Sequence, residues 1–381
     1  MPVRKRRVTE RSKGRGSEVG AAGETTAARP RGSNTRLATM SVSPRRDKGA
    51  AAADNGRTMD RLVIFCAQPS GVPNLLLRAT LAALDSRADI EVVALVLGSP
   101  TSRIRRMSRR LWLDLAVRVK SWFDPAQRRV RSPAPVDVER EAKRRRFEVI
   151  VACDAAGDEA LIARLRALHC TLALSYYWPR RLDERLLDRF DVAVNYHNGR
   201  LPGCRGLRAT AWSVYRGDAT SGYAFHRMTP AIDAGPVLVA GEVPTADRAS
   251  TADLDLAKAS AASGHLRDVL RMMVERAPGV PQTGPAGYRS EADAQAIMRI
   301  DRPGDLSSDE LHRRLRAFGL LRIAIDGESH PVTRLDAVAA GRVADAPLSF
   351  RTADGVVMAT RLRYLPPVIY RVARPLGLVG D

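Results

Sequence analysis

The chain has 381 residues, 45% of them hydrophobic, enough for one well-filled core and a second, smaller unit. Its formal charge of +20 is unevenly placed: residues 1–58 hold 14 Lys and Arg against 5 Asp and Glu, in a stretch rich in Ala, Gly and Ser that has little to bury. The four cysteines, Cys66, Cys153, Cys170 and Cys204, show no zinc-type or disulfide-framework spacing. They read as reduced, buried thiols. No apolar run approaches the length of a membrane span, and the opening MPVRKRRVTERSKGRGSE lacks the apolar centre of a secretory leader. A cytoplasmic protein without stable membrane insertion is expected.

Residues 1–58 are expected to form a disordered basic tail, with Met59 or Met40 as an alternative start. A nucleic-acid arm is the second reading of that charge. From residue 61 the pattern changes to alternating strand and helix. RLVIFCA predicts a strand, QPSGVPN a loop, LLLRATLAALDSRA an amphipathic helix, and IEVVALVLGS a second buried strand. Residues 102–146 interrupt this rhythm. There Arg103, Arg105, Arg106, Arg109 and Arg110 interleave with Ile104, Met107, Leu111 and Trp112, which predicts a basic amphipathic helix packed by its apolar stripe.

The rhythm resumes with strand FEVIVA, helix DEALIARLRALH, strand TLALSYY, helix RRLDERLLDRF and strand VAVNYH. Repeated β-α units predict an α/β fold with a doubly wound, mostly parallel sheet, whose ligands gather at the carboxyl ends of strands. After Gly287 a helical stretch, SSDELHRRLRAFG, precedes RIAIDG, HPVTRL, APLSFRT and GVVMATRLRYL, which predict a small β-rich C-terminal subdomain. The expected organisation is a tail at 1–58, a catalytic domain at 59–287 with the insertion at 102–146, and a linker helix with the β-rich subdomain at 288–381. The apolar stretch in RYLPPVIYRVARPLGLV is either an interface in a homo-oligomer or core.

The chemically informative stretch is AVNYHNGRLPGCRGLRATAWSVYRGDATSGYAFHRMTPAIDAGPVLVAGEV, residues 193–243. Asn195 and His197 lie two apart in a strand and so share a face. Asp233, in the turn-prone IDAGP, can fold back beside the imidazole. An amide, an imidazole and a carboxylate together can stabilise an oxyanion and move a proton, although a strand histidine can equally be core and an Asp before Ala-Gly a turn former.

The spaced elements Asn195, His197, Leu201, Pro202, Arg205, Gly206, Trp212, Gly217, Asp218, Gly222 and Ile232-Asp233-Ala234-Gly235 resemble the formyltransferases that act on methionyl-tRNA, glycinamide ribonucleotide and sugar amines. The resemblance extends over roughly residues 60–320, through the SGVPNLLL loop, Tyr177-Trp178-Pro179 and RIDRPGDLSSDELHRRLRAFG. It implies an enzyme that moves a formyl group from 10-formyltetrahydrofolate to a primary amine, without a metal. It further implies that Asn195 holds the formyl oxygen, His197 stabilises the tetrahedral intermediate as an imidazolium, and Asp233 orients it and accepts protons. The folate would lie near Tyr177, Trp178, Pro179, Leu201, Pro202, Met228, Ile232 and Gly235.

Two departures stand out: Asn198-Gly199-Arg200 replaces the common Pro-Ser-Leu, and Cys204 precedes Arg205. Arg205 and Arg208 either clamp an acidic acceptor or pair structurally. His226 reads as a wall residue, and Trp212 and Tyr215 as core. The acceptor expected first is a small molecule, such as an amino sugar or amino acid. Initiator methionyl-tRNA ranks second because the part after residue 320 is short for an RNA-binding module, and hydrolysis of the formyl donor by water uses much the same site.

Overall fold

Strands whose residues are apolar almost without interruption must be covered on both faces, and the computed structural model shows that arrangement. It describes residues 38–40, 59–67, 71–98, 135–152, 159–182, 184–246, 249–338 and 348–360. The expected tail beyond 38–40, the basic helix within 102–122, Cys153 and the final apolar stretch lie outside the described residues.

In chain order the first elements are β1 (Ala38–Met40), β2 (Asp60–Cys66), α1 (Gly71–Leu84), β3 (Ile90–Gly98), α2 (Val138–Arg145), β4 (Glu148–Ala152), α3 (Glu159–Ala167) and β5 (Leu172–Tyr176). They are followed by α4 (Glu184–Leu187), β6 (Val192–His197), β7 (Arg205–Gly206), α5 (Ala209–Arg216), β8 (Thr220–Arg227), β9 (Val237–Pro244), α6 (Thr251–Ser263) and α7 (Leu266–Val274). The main sheet has eight strands in the order β1-β4-β3-β2-β5-β6-β8-β9. Strands β4, β3, β2, β5 and β6 are parallel, whereas β1, β8 and β9 pair antiparallel at the two edges. The expected doubly wound, mostly parallel sheet is therefore present.

Alternation along the strands divides the core in two. Leu62, Ile64 and Cys66 of β2 join Val192, Val194 and Tyr196 of β6 under α1, α6 and α7. Val63 and Phe65 turn the other way with Ala193, against Leu161 and Leu165 of α3 and Leu186 of α4. Asn195 and His197 share the parity of Ala193 and thus belong to this second face. The helix expected over RRLDERLLDRF shrinks to the four residues of α4, since Leu186 and Phe190 seal the sheet from a single turn and a following loop. At the amino ends of the strands, Arg276 donates to both oxygens of buried Asp60 at 2.6 Å and to Asp191 at 2.8 Å, tying the end of α7 to β2.

The remainder comprises β10 (Tyr288–Arg289), α8 (Glu291–Met298), β11 (Arg299–Ile300), α9 (Ser308–Phe318), β12 (Leu321–Ile325), β13 (Glu328–Val332), β14 (Asp336–Ala337), β15 (Leu348–Arg351) and β16 (Val357–Thr360). Helices α8 and α9 pack with α5 around Trp212, Met298 and Phe318. The last strands form two three-stranded sheets over Leu311, Ile323, Val332 and Met358. Ser290 and Ser307 cap the two helices through the backbone N–H groups of Asp293 and Glu310. Cys66 and Cys170 are buried as expected, but Cys204 is half-exposed because it sits on the loop that covers the site.

Leu174 of β5 is fully buried at the centre of the sheet. Leu174→Ala is expected to lower unfolding stability by about 3 kcal/mol, seen as a lower urea midpoint with an unchanged far-ultraviolet spectrum, because the cavity cannot collapse between two packed layers.

Candidate active site

Antiparallel pairing of β6 with β8 sets Asn195 opposite His226 and His197 opposite Ala224. The loop after β8 then turns back over the sheet and brings Asp233 between the two imidazoles. Its Oδ2 lies 3.5 Å from His197 Nδ1, and its Oδ1 lies 3.4 Å from His226 Nε2. The Gly206 N–H, on the loop after His197, donates to Asp233 Oδ2 at 2.9 Å. The three residues singled out from the sequence, Asn195, His197 and Asp233, thus converge.

His226, expected to be a wall residue, lies beside Asn195 and Asp233. It is 2% exposed, its Nδ1 donates to the Arg227 carbonyl at 2.9 Å, and its Nε2 stands 3.3 Å from Asn195 Nδ2. With Nδ1 directed at the Arg227 carbonyl, Nε2 faces the Asn195 amide, whose second N–H is left for another acceptor. Position in β8 alone could not reveal this role, because the cross-strand register is what places His226 beside Asn195.

The tautomer of His197 follows in the same way. Its Nε2 is 2.6 Å from the Cys204 carbonyl oxygen, which can only accept, so Nε2 carries the hydrogen. In the neutral ring Nδ1 then presents a lone pair toward Asp233. Burial lowers the His197 pKa from 6.5, against the opposing pull of Asp233 and the Cys204 carbonyl. Protonation at Nδ1 converts the Asp233 contact into an ion pair. For Asp233 itself burial works upward, but the His226 hydrogen bond, the His197 charge and the Gly206 N–H outweigh it and hold the carboxyl at about 2.

Backbone geometry supports the carboxylate. Asp233 has φ +50°, a left-handed conformation that Asp tolerates better than most residues. A Cβ at Gly235 would overlap the Arg227 carbonyl oxygen, so only glycine allows the loop to fold this closely onto β8. Gln282, which the sequence reading missed, donates from Nε2 to the carbonyl oxygens of Asp233 and Gly235, each at 2.8 Å. No motif distinguishes it before the fold is known.

The residues expected around the folate divide between the two faces. Trp178 and Met228 pack on the core of the Asn195 face, with the Trp178 ring 5.3 Å from Phe65. Pro179 and Trp178 lie against Gly98, where a Cβ would meet both side chains. Tyr177, at φ +52°, packs instead on the opposite core, 5.8 Å from the Tyr196 ring. Leu201 lines an open groove of about 300 Å³ with Arg200, Tyr223, Ala224 and Glu242, while the Pro202 carbonyl accepts the Gly287 N–H. Ile232 is 45% exposed beside Asp233.

Of the two readings open for Arg205 and Arg208, the structure displays pairing within the chain. Arg205 donates to Gln282 Oε1 at 2.8 and 3.1 Å, and Arg208 forms a two-pronged pair with Glu291 at 2.8 and 2.9 Å. Trp212 is buried and Tyr215 packs partly against it, as expected of core residues. Among the described residues no group of three or more His, Cys, Asp or Glu could hold a metal.

Because the Asp233 pKa falls from 3.8 to about 2, its stabilising effect is complete above about pH 4 and disappears as pH falls toward 2. Asp233→Asn should therefore cost about 2 kcal/mol at pH 6 and progressively less below about pH 4, so urea midpoints of the two proteins should draw together between pH 4 and 2.

Residues 116–269 match the family model described as formyl transferase. GDP-perosamine N-formyltransferase of Brucella melitensis is 28% identical over 96 residues, which is 25% of this chain and 37% of that protein. Methionyl-tRNA formyltransferase of a Bradyrhizobium species is 26% identical over 258 residues, 63% of this chain and 80% of that protein. A sugar N-formyltransferase from a Shewanella species shares the fold, with a TM-score of 0.52 at 15% identity over 72% of this chain and 97% of that one. The family match spans β6, β8 and the returning Asp233 loop, the elements that build the site, so the part of the chain similar to formyl transferases is the part that carries Asn195, His197 and Asp233.

Proposed function

We propose that the protein transfers a formyl group from 10-formyltetrahydrofolate to the amine of a small molecule, an amino sugar carried on a nucleotide being the acceptor favoured. The observation that carries this reading is one carboxylate, Asp233, held between His197 and His226 with the Asn195 amide alongside. An amine adding to a formyl carbon places negative charge on the formyl oxygen and leaves a proton to be removed. The free N–H of Asn195 supplies a donor for that oxygen. A neutral His197 takes a proton at Nδ1, and Asp233 stabilises the resulting imidazolium, so proton acceptance and charge stabilisation reside in one ring. His226 holds the Asn195 amide in orientation through Nε2.

The co-substrate supplies the formyl carbon and a leaving nitrogen, which takes up the proton removed from the amine as its bond to the formyl carbon breaks. Trp178 and Met228 would flank its pterin on the Asn195 face; the Trp178 indole N–H is buried and finds no acceptor among the described residues, a donor suited to a heterocycle. On the acceptor side, Leu207 and Tyr288, each 52% exposed, stand next to Gly206, and Ile232 stands next to Asp233. Such an apolar rim around a polar centre suits a ring-bearing small molecule. The Brucella relative, whose name specifies a GDP-linked amino sugar, supports this acceptor class. Initiator tRNA is the second reading, favoured by the longer match to the Bradyrhizobium protein. Hydrolysis of the formyl donor is the third outcome. No helix among the described residues is long and apolar enough to cross a membrane, and a cytoplasmic setting accords with a folate-dependent reaction.

Purified protein with formyl-labelled donor should label nucleotide-linked amino sugars in preference to charged initiator tRNA or free amino acids. His197→Ala should lower that rate by at least about 100-fold while folate binding stays within a few-fold, because the ring acts on the transition state. Label appearing on tRNA alone would favour the second reading, and label released only as formate would favour hydrolysis.

A further inference from the structure

Behind the catalytic loop lies a charged pair with no part in the chemistry described above. Lys258 of α6 is 0% exposed, and its ammonium donates to the Asn198 carbonyl at 2.6 Å and to the Thr210 hydroxyl. Asp255, one turn earlier, lies 3.8 Å from that ammonium and accepts from the Asn198 side-chain amide at 3.1 Å and from Thr210. Both ends of Asn198 are therefore gripped, its backbone by the cation and its side chain by the anion. Asn198 directly follows His197 and is one of the residues in which this chain departs from the common pattern.

A mechanical link to the imidazole is present. A Cβ at Gly199 would lie 2.7 Å from His197 Nε2, 2.8 Å from the Cys204 oxygen and 2.6 Å from Ala209 Cβ. The chain at Gly199 thus runs too close to the ring and to the carbonyl that fixes its tautomer to admit a side chain. Displacing Asn198 by a fraction of an ångström must shift one or the other. We propose that Lys258 and Asp255 are positioning residues for formyl transfer, which lock Asn198 and, through Gly199, hold His197 Nε2 on the Cys204 carbonyl with Nδ1 aimed at Asp233. The proposal rests on the reading of His197 as the proton-accepting group.

The energetics support a directing role over a space-filling one. Burying an ammonium is costly even when it is paired, and an apolar side chain of similar volume often serves stability as well or better. That cost is visible here: burial lowers Lys258 to about 8, against the opposing pull of Asp255. Retention of charge at this depth fits a requirement for a defined loop geometry.

The test compares wild type, Lys258→Met, and the double variant Asp255→Asn/Lys258→Met, which leaves no lone charge should the single variant fail to fold. Each is measured for kcat, for KM toward donor and acceptor, and for the imidazole nitrogen resonances of His197 in 15N-histidine-labelled protein, assigned with His197→Gln. The expected result is a folded double variant with kcat lowered about tenfold or more, both KM values within about twofold, and a shifted His197 Nε2 resonance, a loss of roughly one decade in transition-state stabilisation. A folded double variant with wild-type kcat, or with an unmoved His197 resonance, overturns the proposal. Absence of formyl transfer by the wild type to every acceptor would remove the functional reading instead; the resonance then decides alone, its shift upholding the lock and its constancy refuting it.

Discussion

A carboxylate buried between two imidazoles is the constraint from which the rest of the site follows. Removing a charge from water is costly unless it is compensated; Asp233 accepts the Gly206 N–H and lies 3.5 Å from His197 Nδ1 and 3.4 Å from His226 Nε2. Meeting it requires β8 to run antiparallel beside β6, so that His226 lands opposite Asn195. It also requires a loop that doubles back at once, and hence a left-handed Asp233 and a glycine at 235. The edge of an otherwise parallel sheet is where such a reversal is available, since a parallel crossover would carry the chain away from the site.

The loop from Asn198 to Arg208 supplies the other half of this arrangement. Its Cys204 carbonyl fixes the His197 tautomer, its Gly206 N–H reaches Asp233, and its Arg205 joins Gln282, which in turn holds the Asp233 backbone. Residues 287–289 pair with the same loop: Arg205 donates to the Gly287 carbonyl and Leu207 to that of Arg289, each at 2.8 Å. The connection leading to the C-terminal part is thereby a structural component of the site. The two halves are coupled through hydrogen bonds with little slack, which explains why arginines that look like ligand clamps are already committed within the chain.

Much of this architecture was legible before any coordinates. The apolar runs announced the strands closely: VAVNYH coincides with β6, and RLVIFCA, IEVVALVLGS, FEVIVA and TLALSYY each lie within a residue of theirs. Doubly buried strands have no polar face, so composition alone marks them. RRLDERLLDRF looked helical throughout but supplies one turn, with Leu182, Leu186 and Phe190 covering the core from that turn and its flanking residues. Shared strand face and a turn motif made Asn195, His197 and Asp233 compatible with a site, and the resemblance of the spaced elements around them singled them out.

What escaped the sequence has one physical cause. His226, Gln282 and the Lys258–Asp255 pair act across distances of 31 to 60 residues, and neither periodicity nor local propensity encodes which side chains a register or a loop will bring together. His226 owes its place to cross-strand pairing, and Lys258 to the packing of α6 behind the catalytic loop. Tyr177 and Trp178 show the same limit at short range, since adjacent residues at a strand end turn to opposite faces and only one packs beside the core of Asn195. Local physics, the burial pattern and turn chemistry, determined the strands and the fold class from sequence by itself, and the resemblance to a known family added Asn195, His197 and Asp233 as candidates. The hydrogen-bond partners of the two imidazoles, the pairing of the arginines and the contacts behind the site were decided only by tertiary structure, because each depends on the partner that another part of the chain provides.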